Sequence, residues 1–197
     1  MILRLLVFEL KGLASLGWWL ARRRHGVPPG ATPVSYSRGQ TPVLVMFLFL
    51  LVLELVAVEV LLRALGTPSV VRTAFLALDA YGIFFCLGVI AACVTRPHVI
   101  TADEVRIRYG GFFDLRVPRN LVATARQAVN RNERGTVRVA DGVVVVSVFA
   151  ETNLVFELTE PVLVRRPLGR LAFAWTIRCF ADDPEAALAA LRADVSH

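Results

Sequence analysis

VLVMFLFLLVLELVAVEVLLRAL (Val43–Leu65) and TAFLALDAYGIFFCLGVIAACVT (Thr73–Thr95), separated by a short segment that turns at Gly66-Thr67-Pro68-Ser69, form the stretch that decides the fold. Each run has 23 residues. As an α-helix, such a run extends about 35 Å, enough to cross a hydrocarbon core of about 30 Å. The first run carries Glu54 and Glu59, but its 17 Leu, Val and Phe residues outweigh two acids on transfer scales. The second run is weaker, with 10 Leu, Ile, Val and Phe residues beside Asp79, Tyr81, Gly82 and Gly88. It inserts best as the partner of the first. A four-residue turn makes the two helices antiparallel neighbours, so residues 42–95 are expected to be a two-helix transmembrane hairpin.

The whole chain agrees with this. Of its 197 residues, 56% are apolar, above the range of ordinary soluble domains. The net charge of +6 is uneven. Arg22, Arg23, Arg24 and Arg38 precede the first run, only Arg63 and Arg72 flank the turn, and Arg96, Arg106 and Arg108 follow the second. Basic residues beside spans stay on the cytoplasmic side. The expected placement is the inner cell membrane, with both termini cytoplasmic and the hairpin tip outside. Three cysteines without ligand or framework spacing suit a reducing compartment.

Residues 1–24, MILRLLVFELKGLASLGWWLARRR, have their arginines after the apolar core, the reverse of a secretory signal. As a helix they set Arg4, Lys11, Ser15 and Arg22 on one narrow stripe, with Trp18 and Trp19 meeting the basic run. The pattern predicts an amphipathic interfacial helix. Residues 25–41, rich in Pro, Gly and Ser, read as a linker, and Pro42 suits a first helical turn.

From Arg96 the period changes to two. Val105, Ile107 and Tyr109 alternate with Arg106 and Arg108, giving an inward and an outward face. Gly110-Gly111 turns into Phe112–Val117, and Pro118-Arg119-Asn120 turns again before a strand around Leu121–Arg126. Residues 128–141 are polar and read as a loop, with a short hairpin as the alternative. Gly142–Phe149 suits a central strand; Asn153–Leu158 and Val162–Arg165 follow, separated by a turn at Glu160-Pro161. After a further turn at Pro167-Leu168-Gly169, Leu171, Phe173, Trp175, Ile177 and Cys179 are expected on one face. Asp183 caps a final helix that begins at Pro184, with Ala187, Leu188 and Leu191 inward.

Short antiparallel strands closed by one helix outline a pleckstrin-homology-like (PH-like) barrel. In HVITADEVRIRYGGFFDLRVPRNLVAT, NLVFELTEPVLVRR and CFADDPEAALAALR, the chain resembles bacterial PH-like domain membrane proteins with two transmembrane helices before the domain. The resemblance covers about residues 96–195. It implies a fold of membrane hairpin plus antiparallel PH-like barrel over residues 96–197, and a role in membrane-tethered scaffolding or partner binding.

Four polar residues of the spans are candidates for function: Glu54, Glu59, Asp79 and Tyr81. Acids within a membrane serve as relays or as contacts to partner helices. Glu59 and Arg63 are spaced to pair. Counting from the turn puts Asp79 at a depth between Glu59 and Glu54, with Tyr81 close enough to bond either Glu54 or Asp79. Two helices are too few for a conduction path, so the acids favour contact with another membrane protein or a second copy of the chain; an accessory subunit of a transporter or proton-coupled complex is the alternative. Arg22, Arg23, Arg24, Arg106, Arg108, Arg116 and Arg119 are candidates for holding the domain against anionic lipid. His25, His98 and His197 have no ligand spacing, Ser147 and Cys179 no base in reach, and phosphate-cradling glycine loops are missing. No enzyme, metal, cofactor or nucleic-acid partner is expected.

Overall fold

The structure is a computed structural model of the chain and describes residues 14–166 and 171–193. The first 13 residues of the expected interfacial helix and the expected turn at 167–169 lie outside them.

A helical turn at 14–20 ends where Arg22 takes a left-handed conformation (φ 53°). Strand β1 (Thr32–Val34) follows, then helix α1 (Thr41–Ala64) and helix α2 (Ser69–Thr95). The remaining strands are β2 (His98–Ile100), β3 (Glu104–Tyr109), β4 (Phe113–Pro118), β5 (Val122–Asn130), β6 (Val137–Ala140), β7 (Val143–Val146), β8 (Thr152–Arg165) and β9 (Leu171–Cys179). Helix α3 (Pro184–Ala193) closes the described chain.

Both long helices are apolar enough to cross a membrane, and none of α1 is buried. Their contact is a narrow seam. Apart from Thr41 and Glu59, the half-covered positions of α1 are Leu44, Leu48, Leu51, Leu55, Val58 and Leu62, spaced alternately by four and three. That is the heptad pattern of a two-helix contact. In α2 the seam passes through Asp79, Ile83, Cys86 and Ile90. The last two turns of α2, including Ala91, Ala92, Cys93 and Thr95, are buried. From Ser69 to Leu87 the helix covers roughly 28 Å, close to one hydrocarbon thickness.

The strands form two sheets, ordered β1-β2-β3-β4 and β5-β8-β9-β7-β6. The expected closed, all-antiparallel barrel is not observed. Among the described residues no ladder joins the sheets, and β7 pairs with β9 in parallel. The cause is topological. β7 and β8 meet at a tight turn, with Val148 and Glu151 exchanging both backbone bonds at 3.0 Å. They then splay, and β9 returns between them, so Cys179 pairs with both Val146 and Leu154. A strand antiparallel to β8 must run with β7. Val105, Ile107 and Leu115 from one sheet, Phe156 and Ile177 from the other, and Leu188 of α3 share one core. Asp183 caps α3 as expected, its Oδ1 accepting from Ala186 N at 2.9 Å.

Four local expectations need correction. The supposed linker carries β1, whose Thr32, Pro33 and Val34 pair with Ile100, Val99 and His98. The supposed turn at Glu160-Pro161 lies inside β8, at a register shift where Pro161 has no ladder bond to forfeit. The single inward face of β9 is broken by a bulge: Trp175 N and Thr176 N both donate to Gly142 O, at 2.8 and 3.2 Å. Ala174 is therefore buried before the bulge and Ile177 and Cys179 after it, while Leu171, Phe173 and Trp175 turn outward. The loop expected at 128–141 begins inside β5 and ends in β6.

The β7–β8 turn places Phe149 and Ala150 at φ 49° and 60°. Left-handed conformations cost an ordinary residue about 1–2 kcal/mol, and this two-residue turn usually takes Asn-Gly.

Pro33 has no N–H to exchange, so Pro33 and Val99 form the close, non-hydrogen-bonded kind of pair. Introducing Pro33→Cys with Val99→Cys should give a disulfide under mild oxidation, detected by thiol titration and mass spectrometry. A free linker would leave both thiols reduced.

Candidate functional site

The densest polar assembly lies where the helices meet the sheets. Tyr36 is buried and stacks between His98 (4.7 Å between ring centres) and Tyr109 (5.6 Å). Its hydroxyl accepts from Gly110 N at 2.6 Å, and Tyr109 donates to Gln40 Oε1 at 3.0 Å. Beneath the stack, Tyr36, Cys93 and Val148 form a small buried cluster joined by Val89 and Phe180.

Arg108 clamps this junction. Its Nε donates to Pro97 O at 2.7 Å, Nη1 to His25 O at 2.9 Å and Nη2 to Gly26 O at 3.4 Å. Its backbone N–H donates to His98 Nδ1 at 3.0 Å, so His98 is the neutral tautomer whose Nε2–H donates to Phe180 O at 3.0 Å. Burial lowers the His98 pKa to about 4 and that of Arg108 to about 10. One residue holds the segment before the hairpin to the segment after it.

Arg108, expected outward, is thus 2% exposed and serves the fold. The period-two rule gave the correct face for Val105 and Ile107. It missed that residues 25–26 cover the opposite face. Arg106 makes a two-toothed bond to Asp114, at 2.7 and 2.5 Å. Although burial raises the Asp114 pKa, Arg106 holds that carboxyl below its usual range. Arg119 donates to Leu191 O near the end of α3. Arg116 is exposed, 3.9 Å from Glu104, and Arg22, Arg23 and Arg24 are exposed beyond the helical turn that carries half-exposed Trp18 and Trp19. The basic set therefore divides, with Arg22, Arg23, Arg24 and Arg116 outward and Arg106, Arg108 and Arg119 engaged within the domain.

The span acids divide as well. Glu59 accepts from Arg63 at 2.7 Å and from Arg72 across the hairpin. Glu54 lies on the exposed face of α1, whereas Asp79 sits in the seam. The contacts of Glu59 with Arg72 and of Cys86 Sγ with Leu44 O set the register. In that register Asp79 is level with about Leu51, not between the two glutamates. Tyr81 packs against Phe85, with ring centres 6.4 Å apart.

Among the described residues, no group of His, Cys, Asp and Glu converges as metal ligands would. The best-formed cavity, under Val34, His98 and Phe156, has room for no more than about one water. The largest feature missed by sequence reasoning is an outward apolar strip of Leu163, Leu171, Phe173 and Trp175, in which Leu163 and Phe173 are register partners. No family model, curated protein or solved structure matches this chain.

Arg108→Leu should lower unfolding stability by about 3 kcal/mol, since it strands buried carbonyls, while Arg116→Ala should change it by less than about 0.5. Denaturant titration in mild detergent checks both. His98 binds a proton more readily when unfolded, so stability should fall as pH drops from about 6.5 towards 4. Between pH 6.5 and 5 the loss should be roughly 2 kcal/mol. His98→Gln should flatten that slope.

Proposed function

We propose that the chain is an integral membrane anchor and adaptor: α1 and α2 cross the inner membrane, both termini are cytoplasmic, and the β domain presents a surface to a protein partner. The observation that carries this reading is the contrast between two apolar surfaces. The sheets enclose a core of their own, while α1 exposes Met46, Phe47, Phe49 and Leu53 along its length. A core helix of a soluble domain would be covered. The pairing of β1 with β2 supports both flanks lying on one side of the membrane, because it brings both ends of the hairpin to one place.

The strip of Leu163, Leu171, Phe173 and Trp175 is the proposed partner surface. Phe173 stands about 23 Å along β9 from Phe180, which belongs to the junction cluster. That places the strip on the far side of the domain from the helices. The two sheets and closing helix support a PH-like lineage, with the open sheets and the parallel β7–β9 pair as departures from a closed barrel. Glu54, exposed towards the lipid side of α1, supports contact with a neighbouring helix. Glu59, held by two arginines, is less suited to a proton relay.

Phe173→Glu with Trp175→Glu should leave membrane insertion intact, change thermal stability little, and abolish recovery of partner proteins in a gentle-detergent pull-down. An unchanged set of partners contradicts the strip. Glu54→Gln and Asp79→Asn should at most weaken assembly. Loss of an ion- or proton-linked activity with assembly intact would favour the transporter-subunit alternative.

A further inference from the structure

Two phenylalanines stand exposed at loop tips. Phe149 occupies the β7–β8 turn and is 59% exposed; Phe112 occupies the β3–β4 turn and is 48% exposed. Both tips lie where α2 leaves the hairpin. Val148, next to Phe149, is buried with Cys93 and Tyr36, and Val89 packs on the same cluster. A side chain placed at Gly110 would touch Cys93 Sγ, Ala92 Cβ and the Phe112 ring, at 3.5, 3.8 and 3.7 Å. Counted from Ser69 at about 1.5 Å per residue, a hydrocarbon core of about 30 Å ends near Leu87–Val89 of α2, within two turns of both tips.

The surroundings of Phe149 fit a headgroup layer. The 131–136 loop lies against its turn, with Glu133 N donating to Ala150 O at 3.0 Å. That loop carries exposed Arg131 and Arg134. Arg131 also approaches Glu151, at 3.5 Å, leaving its side chain 78% exposed. Aromatic rings flanked by arginines are what the bilayer interface selects. A large apolar side chain at a left-handed position of a two-residue turn has no folding advantage over the usual Asn or Gly. Burial of its ring in lipid supplies one.

We propose that the Phe149 and Phe112 tips, with Arg131 and Arg134 beside the first, seat in the interfacial layer of an anionic bilayer and fix the tilt of the domain on the membrane. This rests on the hairpin spanning the membrane. The occupant is lipid, since the tips stand beside the helix exit and the arginines supply charge complementary to anionic headgroups.

The test uses the full chain in vesicles of equal parts phosphatidylcholine and phosphatidylglycerol. Nitroxide labels are placed singly at Phe149→Cys, Phe112→Cys, Val52→Cys and Phe173→Cys, and their relaxation by oxygen and by a water-soluble nickel chelate is compared. Labels at 149 and 112 should follow the lipid-facing label at 52, favouring oxygen several-fold, while the label at 173 favours nickel. A nickel-favouring profile at 149 or 112, with 52 still in lipid, overturns the proposal. If 52 itself favours nickel, the spanning hairpin fails and the proposal with it. Ala150→Cys in the same turn gives the reading should Phe149→Cys not fold.

Discussion

The three-residue ladder between Thr32–Val34 and His98–Ile100 is the constraint on which the rest of the architecture depends. It brackets the helical hairpin, so residues 35–97 behave as one enormous excursion between two neighbouring strands. Paired strands lie about 4.8 Å apart. Whatever path the chain takes between them, it must leave and return at the same place. In a bilayer that requires an even number of crossings, a conclusion independent of where the arginines fall. Arg108 reinforces the closure by gripping carbonyls of residues 25, 26 and 97.

The junction is rigid for electrostatic reasons too. A buried guanidinium surrounded by carbonyl dipoles, beside a histidine kept neutral by its own bonds, leaves little tolerance for sliding. Tyr36 threads aromatic surface between His98 and Tyr109 and so ties the pre-hairpin segment to the sheet. Displacement of the helices relative to the domain must break this set together. That suits the anchor proposed above, with its proposed partner strip held at a set height.

Much of this was legible in the chain itself. The two apolar runs, their turn, the Gly110-Gly111 hairpin and the Asp183-capped helix follow from local chemistry that neighbours do not override. The reading failed where tertiary context decides. Thr32, Val34 and Tyr36 alternate with period two, a strand signal concealed by the surrounding prolines. Arg108 sits on the correct face of β3, but nothing local reveals that residues 25–26 fold over that face. The β9 bulge at Trp175 depends on its neighbour Gly142, and one such slip turns Leu171 and Phe173 from core into surface. For the acids, counting from the turn placed Asp79 one step too shallow, because the helices are offset in their seam. Glu59 bonding to both Arg63 and Arg72 was half visible, through its local partner.

The central claim is that a paired strand couples the domain to a hairpin crossing the membrane twice. The most direct measurement is labelling by a membrane-impermeant maleimide in intact cells, with single cysteines at Thr67 in the hairpin turn and at Arg116 on β4. The account predicts that Thr67→Cys is labelled in intact cells and Arg116→Cys only after the membrane is opened. Labelling of both from outside, or of neither until lysis, would contradict it.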